Sequence, residues 1–215
     1  MPLNYFFVFT SIFLWWPEIL TKNDISFLLV IDPAGSPGRK LSDSFERGAT
    51  LQCAEMLKKT IEKSSSDIEV IITRTVGSNT SQEQSAQMAN RLKADLYIHL
   101  SFFQESEVKP RLFLYTCSYA NDFPIKQTPF LFCPYDHAHC LSLETTTLYA
   151  HQLQQTLLAS PYSVFAPIAT AYSPLKGITV PAIGIEIGLH STRDWRECVS
   201  VLCNSFETIF KKTIL

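Results

Sequence analysis

Apolar and polar positions alternate along this chain in two rhythms. Runs that are apolar throughout, or that switch every second residue, predict strands over Ile25–Asp32, Ile68–Arg74, Asp95–Phe103, Arg111–Cys117 and Val180–Gly188. "ISFLLVID" and "VPAIGIEIG" are almost entirely apolar, which suits strands covered on both faces. Between them the apolar spacing changes to about 3.6 residues and predicts helices over Ser44–Lys63, Ser81–Ala94, Leu143–Ser160 and Ser191–Lys212. Ser81 is placed to cap the second helix, and Ser191 or Thr192 the last. Strand and helix take turns, so the expected fold is a three-layer α/β domain with a mixed, mostly parallel sheet and helices on both faces. The piece from Gln104 to Cys140 breaks the rhythm and predicts surface loop plus one strand.

Composition adjusts this outline in three places. A length of 215 residues supports one well-buried domain. A net charge of −2 gives no overall basic field for nucleic acid. The N-terminal run "LNYFFVFTSIFLWW", Leu3 to Trp16, is short for a membrane span but has the length of an export signal's apolar region. Residues 1–22 are therefore expected to be a signal-like segment, a membrane-associating anchor, or an apolar stretch packed on the domain, and residues 23–215 the domain itself. The six cysteines are even in number, which suits an exported protein with at most one or two disulfides. Cys53 reads as a core residue, and Cys198 and Cys203 share the last helix in poor geometry for a bond.

Five segments, in this order, carry a family resemblance. They are Ile31-Asp32-Pro33-Ala34-Gly35-Ser36, Glu46-Arg47-Gly48-Ala49-Thr50-Leu51, Thr73-Arg74, Ala89-Asn90 leading into Asp95-Leu96-Tyr97-Ile98-His99-Leu100-Ser101-Phe102-Phe103, and Pro181-Ala182-Ile183-Gly184-Ile185-Glu186-Ile187-Gly188-Leu189. Together they resemble the zinc-dependent N-acetylmuramoyl-L-alanine amidases, which trim bacterial peptidoglycan. The resemblance implies a cell-envelope protein, periplasmic or secreted, that acts on or binds peptidoglycan or muropeptides, with an activator or partner protein in reach. It implies Zn²⁺ as cofactor if the protein is active. Such a zinc has three protein ligands and an open site for water, which the metal acidifies. A nearby glutamate takes that water's proton and passes it to the leaving amine.

On this resemblance Glu46 falls at the position of one zinc ligand and Glu186 at that of the catalytic base. The two ligand histidines are replaced: the first-loop position is Gly35 and the strand-end position is Ser101. His99 shares a strand face with Ser101 but lies about 7 Å further back. A rebuilt metal site from Asp32, Glu46, His99 and His190 is one reading, and a degenerate site without metal is the other. The latter makes the protein a non-catalytic binder of peptidoglycan or of a protein. An α/β domain unrelated to cell walls is a third.

Several residues have plainer roles beside these. Asp32-Pro33 also suits a simple turn, Glu46 a favourable helix start, and His99 a hydrogen-bonded core histidine. His190 follows the last strand, at the expected rim of the cleft. Glu186 stands in a strand of Ile, Ala and Gly and needs a partner or a water-filled cleft. "CPYDHAHC", Cys133 to Cys140, has zinc-ligand residue types without a standard spacing, and suits a disulfide or a plain loop as well. Phe102, Phe103, Phe113, Tyr115, Phe130 and Phe132 suit core packing or a glycan groove.

Overall fold

A computed structural model of the chain describes residues 26–35, 46–78, 80–119 and 133–214. The apolar run at residues 3–16, together with Ser36, Phe130 and Phe132, lies outside them. Among the described residues seven strands form one sheet: β1 (Phe27–Pro33), β2 (Ile68–Ile72), β3 (Leu96–Gln104), β4 (Arg111–Cys117), β5 (Ser163–Val164), β6 (Ile168–Thr170) and β7 (Ala182–Leu189). The α-helices among the described residues are α1 (Glu46–Ser64), α2 (Gln82–Leu92), α3 (Leu143–Leu157) and α4 (Trp195–Ile214). The strand order is β2-β1-β3-β7-β4-β5, with β6 also paired to β4. β1, β2, β3 and β7 are parallel; β4 runs antiparallel to β7, and β5 and β6 run parallel to β4. The sheet is therefore mixed and mostly parallel.

The strand order explains why helices cover both faces. From β1 the chain steps outward through α1 to β2, then returns through α2 past β1 to β3. Right-handed crossovers in opposite directions place their helices on opposite faces. Phe27, Leu29 and Ile31 of β1 accordingly join α1, α3 and α4 in the larger core. Val30 and Tyr97 join Ala86 and Ala89 of α2 in a smaller one. The direction of winding reverses between β1 and β3, where an open α/β sheet leaves a crevice at the carboxyl ends of its strands.

Local signals set the element ends. Ser81 caps α2 by accepting from the Gln84 amide at 3.3 Å, while the Gln84 side chain accepts from the Ser81 amide at 2.9 Å. Lys93 ends the helix in the left-handed region, φ 52°. At the last helix the structure departs from the sequence expectation. Ser191 caps a 3-10 turn over Thr192–Asp194, and α4 begins only at Trp195. The Asp194 carboxylate accepts from the Ser191 amide at 2.8 Å and closes that turn first. No cysteine forms a disulfide. Cys53, Cys198 and Cys203 are buried thiols in the core between α1 and α4.

Candidate functional site

Alternation along three neighbouring strands builds the site. On β7, Ile183, Ile185, Ile187 and Leu189 enter the larger core, which turns Gly184, Glu186 and Gly188 to the other face. On β3, Leu96, Ile98, Leu100 and Phe102 enter that core, which leaves His99 and Ser101 beside Glu186. On β1, the same alternation turns Asp32 to that side. Register then aligns the polar positions. Asp32 pairs with His99 across β1 and β3, and Ser101 with Glu186 across β3 and β7. The result is a cleft of about 510 Å³ whose walls include Asp32, Gly35, Glu46, Arg47, Arg74, His99, Ser101, Tyr172 and Glu186.

Each acidic group has its own partners. Asp32 Oδ2 lies 2.8 Å from His99 Nδ1. Its Oδ1 accepts from Ser85 Oγ at 2.9 Å and from the Thr73 hydroxyl. Burial pushes the Asp32 carboxyl up, but the His99 bond and charge, with the hydroxyls of Thr73 and Tyr97, outweigh it and hold it below the ordinary value. Glu46, only 1% exposed at the start of α1, accepts from the Phe102 amide at 3.1 Å. Glu186 Oε2 accepts from Tyr115 Oη at 3.1 Å. Burial and then the Glu186 charge push the Tyr115 phenol up to about 12.

The positively charged side of the cleft surrounds Gly35. Arg74 Nε donates to the Pro33 carbonyl at 2.8 Å. Its Nη2 donates to the carbonyls of Ala34 and Arg47, each at 2.8 Å, and reaches Thr50 Oγ1 at 3.2 Å. Arg47 donates to the Ser78 carbonyl. A Cβ on Gly35 would stand 2.9 Å from both Arg47 Cγ and Arg74 Nη2. The space that a side chain at position 35 would enter is thus filled by two arginines.

Aromatic rings border the Glu186 side. Tyr172 stacks on Tyr115 with centroids 4.6 Å apart, and Phe113 stacks on Phe165 at 4.9 Å. Tyr172 can lie flat because β7 has glycine beneath it: a Cβ on Gly184 would approach its Cε1 to 2.5 Å.

The structure brings Asp32, Gly35, Glu46, His99, Ser101 and Glu186 to one cleft, and it leaves His190 out. His190 is exposed, and its Nε2 lies 2.7 Å from the Glu107 carbonyl, beside the β3–β4 turn. That turn draws the imidazole away from the cleft. Phe102 faces the core, whereas Phe103, Phe113 and Tyr115 lie on the cleft face. The "CPYDHAHC" segment runs into a 3-10 helix over Tyr135–Ser142, in which His139 Nε2 lies 3.6 Å from Cys140 Sγ. Among the described residues no three His, Cys, Asp or Glu side chains group as a metal site. Sequence reasoning missed Arg47, Arg74 and Tyr172 as cleft walls, whereas Tyr115, named with the aromatics suited to core packing or a glycan groove, binds Glu186 at the edge of the cleft. Tyr115 had a local signal, since alternation in "RLFLYTC" places it with Phe113. The sequence marks Arg74 only as part of the Thr73-Arg74 segment; its role depends on contacts about 40 residues away.

Residues 30–200 match a family model described as N-acetylmuramoyl-L-alanine amidase. An N-acetylmuramoyl-L-alanine amidase from Clostridium difficile 630 shares the fold at 18% identity and a TM-score of 0.63, covering 87% of this chain and 96% of its own. The amidase Ami1 from Mycobacterium smegmatis matches at 12% identity and a TM-score of 0.62, covering 89% and 98%. The CwlD amidase from Clostridioides difficile, solved in complex with the GerS lipoprotein, matches at 12% identity and 0.55, covering 86% and 98%. No curated protein matches the chain by sequence.

Proposed function

The chain belongs to the N-acetylmuramoyl-L-alanine amidase family, and we propose that it binds peptidoglycan through this cleft without assembling the zinc centre of the hydrolases. One observation carries the reading. The side-chain space at position 35, where the family resemblance puts a ligand imidazole, holds the stem of Arg47 and the guanidinium of Arg74. A guanidinium is always charged and offers only donors, so it repels a divalent cation and cannot ligate one. Ser101 adds a hydroxyl in place of the second imidazole. Glu46 is left as the single family ligand, and a zinc site needs three protein donors. Zinc does not fit this residue set.

What the cleft keeps suits recognition. Glu186, oriented by the Tyr115 hydroxyl, offers an acceptor, Arg74 adds a positive charge to the opposite side of the cleft, and Tyr172 offers a ring face. Peptidoglycan lies outside the cytoplasmic membrane, so the reading places the protein in the cell envelope. The apolar residues 3–16 then serve as export signal or anchor, and a partner protein is a natural companion for a binder that does not cut.

The test combines metal analysis with peptidoglycan assays on the purified full chain. The expected protein is folded, carries far less than one zinc per chain after incubation with Zn²⁺, sediments with insoluble peptidoglycan, and releases no stem peptide from it. Near-stoichiometric zinc that is lost in Glu46→Ala, together with stem-peptide release, would establish a hydrolase with a rearranged metal site. Failure to sediment with peptidoglycan would remove the binding role.

A further inference from the structure

An aromatic row crosses the sheet from its outer edge to the cleft. Leu112 and Leu114 of β4 enter the larger core, so Phe113 and Tyr115 face the cleft side. Phe165, just past β5, stacks on Phe113 with centroids 4.9 Å apart and planes 11° from parallel. On its other side Phe113 is paired with Glu186 of β7, which lines the cleft. Two residues along β4, Tyr115 is paired with Ile168 of β6 and with Gly184 of β7. The Tyr172 ring lies over Gly184 and stacks on Tyr115 at 4.6 Å, 3° from parallel. Neighbouring strands are about 4.8 Å apart, so these side chains follow one another without a gap.

The outer end of the row is open. Phe165 gives one ring face to Phe113 and is still 44% exposed, and Ile168 beside Tyr115 is 37% exposed. Strand pairing holds both stacks in place, so a ligand meets rings that are already oriented. An aromatic face carries negative charge density. The C–H groups on one side of a pyranose ring are flat, apolar and slightly positive. A sugar therefore rests on such a face while its hydroxyls stay in water. Apart from Glu186 the row consists of uncharged side chains, which suits a neutral chain better than a charged peptide. It suits a stable contact between two copies of the chain less well. Such an interface buries about 800 Å² on each partner, and Phe165 and Ile168 are the large apolar side chains among the described residues that stand exposed at this edge.

We infer that the Phe165–Phe113 and Tyr115–Tyr172 stacks form a saccharide subsite, which takes the glycan strand of peptidoglycan and leads it along the sheet into the cleft at Glu186. The inference rests on the peptidoglycan-binding reading and names the part of the polymer held there.

Titration calorimetry on the full chain tests it with two probes. One is the β-1,4-linked hexamer of N-acetylglucosamine, a neutral glycan without peptide; the other is the free dipeptide L-Ala-D-Glu. The hexamer is expected to bind more tightly than the dipeptide. Phe165→Ala and Phe165→Leu, which both remove the ring, are expected to weaken hexamer binding about tenfold, the scale of one aromatic stack. Phe165→Trp, which keeps a ring there, is expected to bind at least as tightly as the parent; thermal unfolding confirms that each variant is folded. Hexamer binding that is unchanged in Phe165→Ala or Phe165→Leu would overturn the inference. A parent that sediments with insoluble peptidoglycan but ignores the hexamer would also overturn it and leave the peptidoglycan reading standing. Binding of neither would overturn both. A dimer in sedimentation velocity that Phe165→Ala dissociates would make the row a contact between copies and overturn the saccharide assignment.

Discussion

Ser101 stands directly across from Glu186 on adjacent parallel strands. Neighbouring strands lie about 4.8 Å apart, so the hydroxyl and the carboxylate share one patch of the sheet face. In the same cleft, the Gly35 corner is packed by the Arg47 stem and the Arg74 guanidinium. The cleft therefore joins an acidic wall to a basic one.

The packing around Gly35 predicts that Gly35→Ala is destabilising. Its Cβ would meet Arg47 Cγ and Arg74 Nη2, both at 2.9 Å. Arg74 cannot swing aside without giving up its contacts to the Pro33 and Ala34 carbonyls. Overpacking of this kind costs about 1–3 kcal/mol, measurable by urea denaturation. For the same reason the double variant Gly35→His, Ser101→His is expected to take up no zinc while Arg47 and Arg74 stay in place; metal analysis after dialysis against Zn²⁺ checks this.

Asp32 predicts a pH dependence of stability. Its folded-state value lies below the ordinary carboxyl value, so the ionised form is favoured by folding. That contribution is fully present above the unfolded value of about 3.9 and is lost as pH falls through the lower folded value. Asp32→Asn should be less stable than the parent at neutral pH, with the gap closing as the solution is acidified below about pH 4. Asp32→Ala, which leaves His99, Ser85 and Thr73 without their acceptor, should cost about 3 kcal/mol at pH 7. Chemical denaturation across the pH range reads both.

Tyr115 reports on Glu186. Burial is the largest cause of its rise to about 12, and the Glu186 charge and hydrogen bond add to it. Glu186→Gln removes the added part and leaves the burial. The Tyr115 phenol should then titrate lower than in the parent but still above about 10, the unperturbed value. NMR titration of ring-labelled tyrosine follows the shift, with Tyr115→Phe assigning the resonance.

Gly184 and Tyr172 form a testable pair. Gly184→Ala should push Tyr172 off its stack with Tyr115, because the new Cβ would lie 2.5 Å from the ring. The expected loss is about 1–3 kcal/mol. In a Tyr172→Ala background the same change should cost much less, since the obstructing ring is gone. A double-mutant cycle by urea denaturation measures the difference, and an additive result would show that the two residues do not interact.

The sequence by itself determined the elements and their faces, and through family motifs the candidate acidic groups. "RLFLYTC" became β4 over the very residues its alternation marks, and Ser81 capped α2 as its position predicts. These features depend on backbone periodicity and on hydrogen bonds within a few residues, both of which a linear string displays. The tertiary structure decided which groups meet. It set the pairing of Ser101 with Glu186, turned His190 onto the Glu107 carbonyl, and brought Arg74 from the end of β2 to the loop after β1. Those outcomes follow from strand register and from crossovers spanning dozens of residues. The side-chain volume left vacant at Gly35 is filled by whichever neighbour the folded chain delivers there.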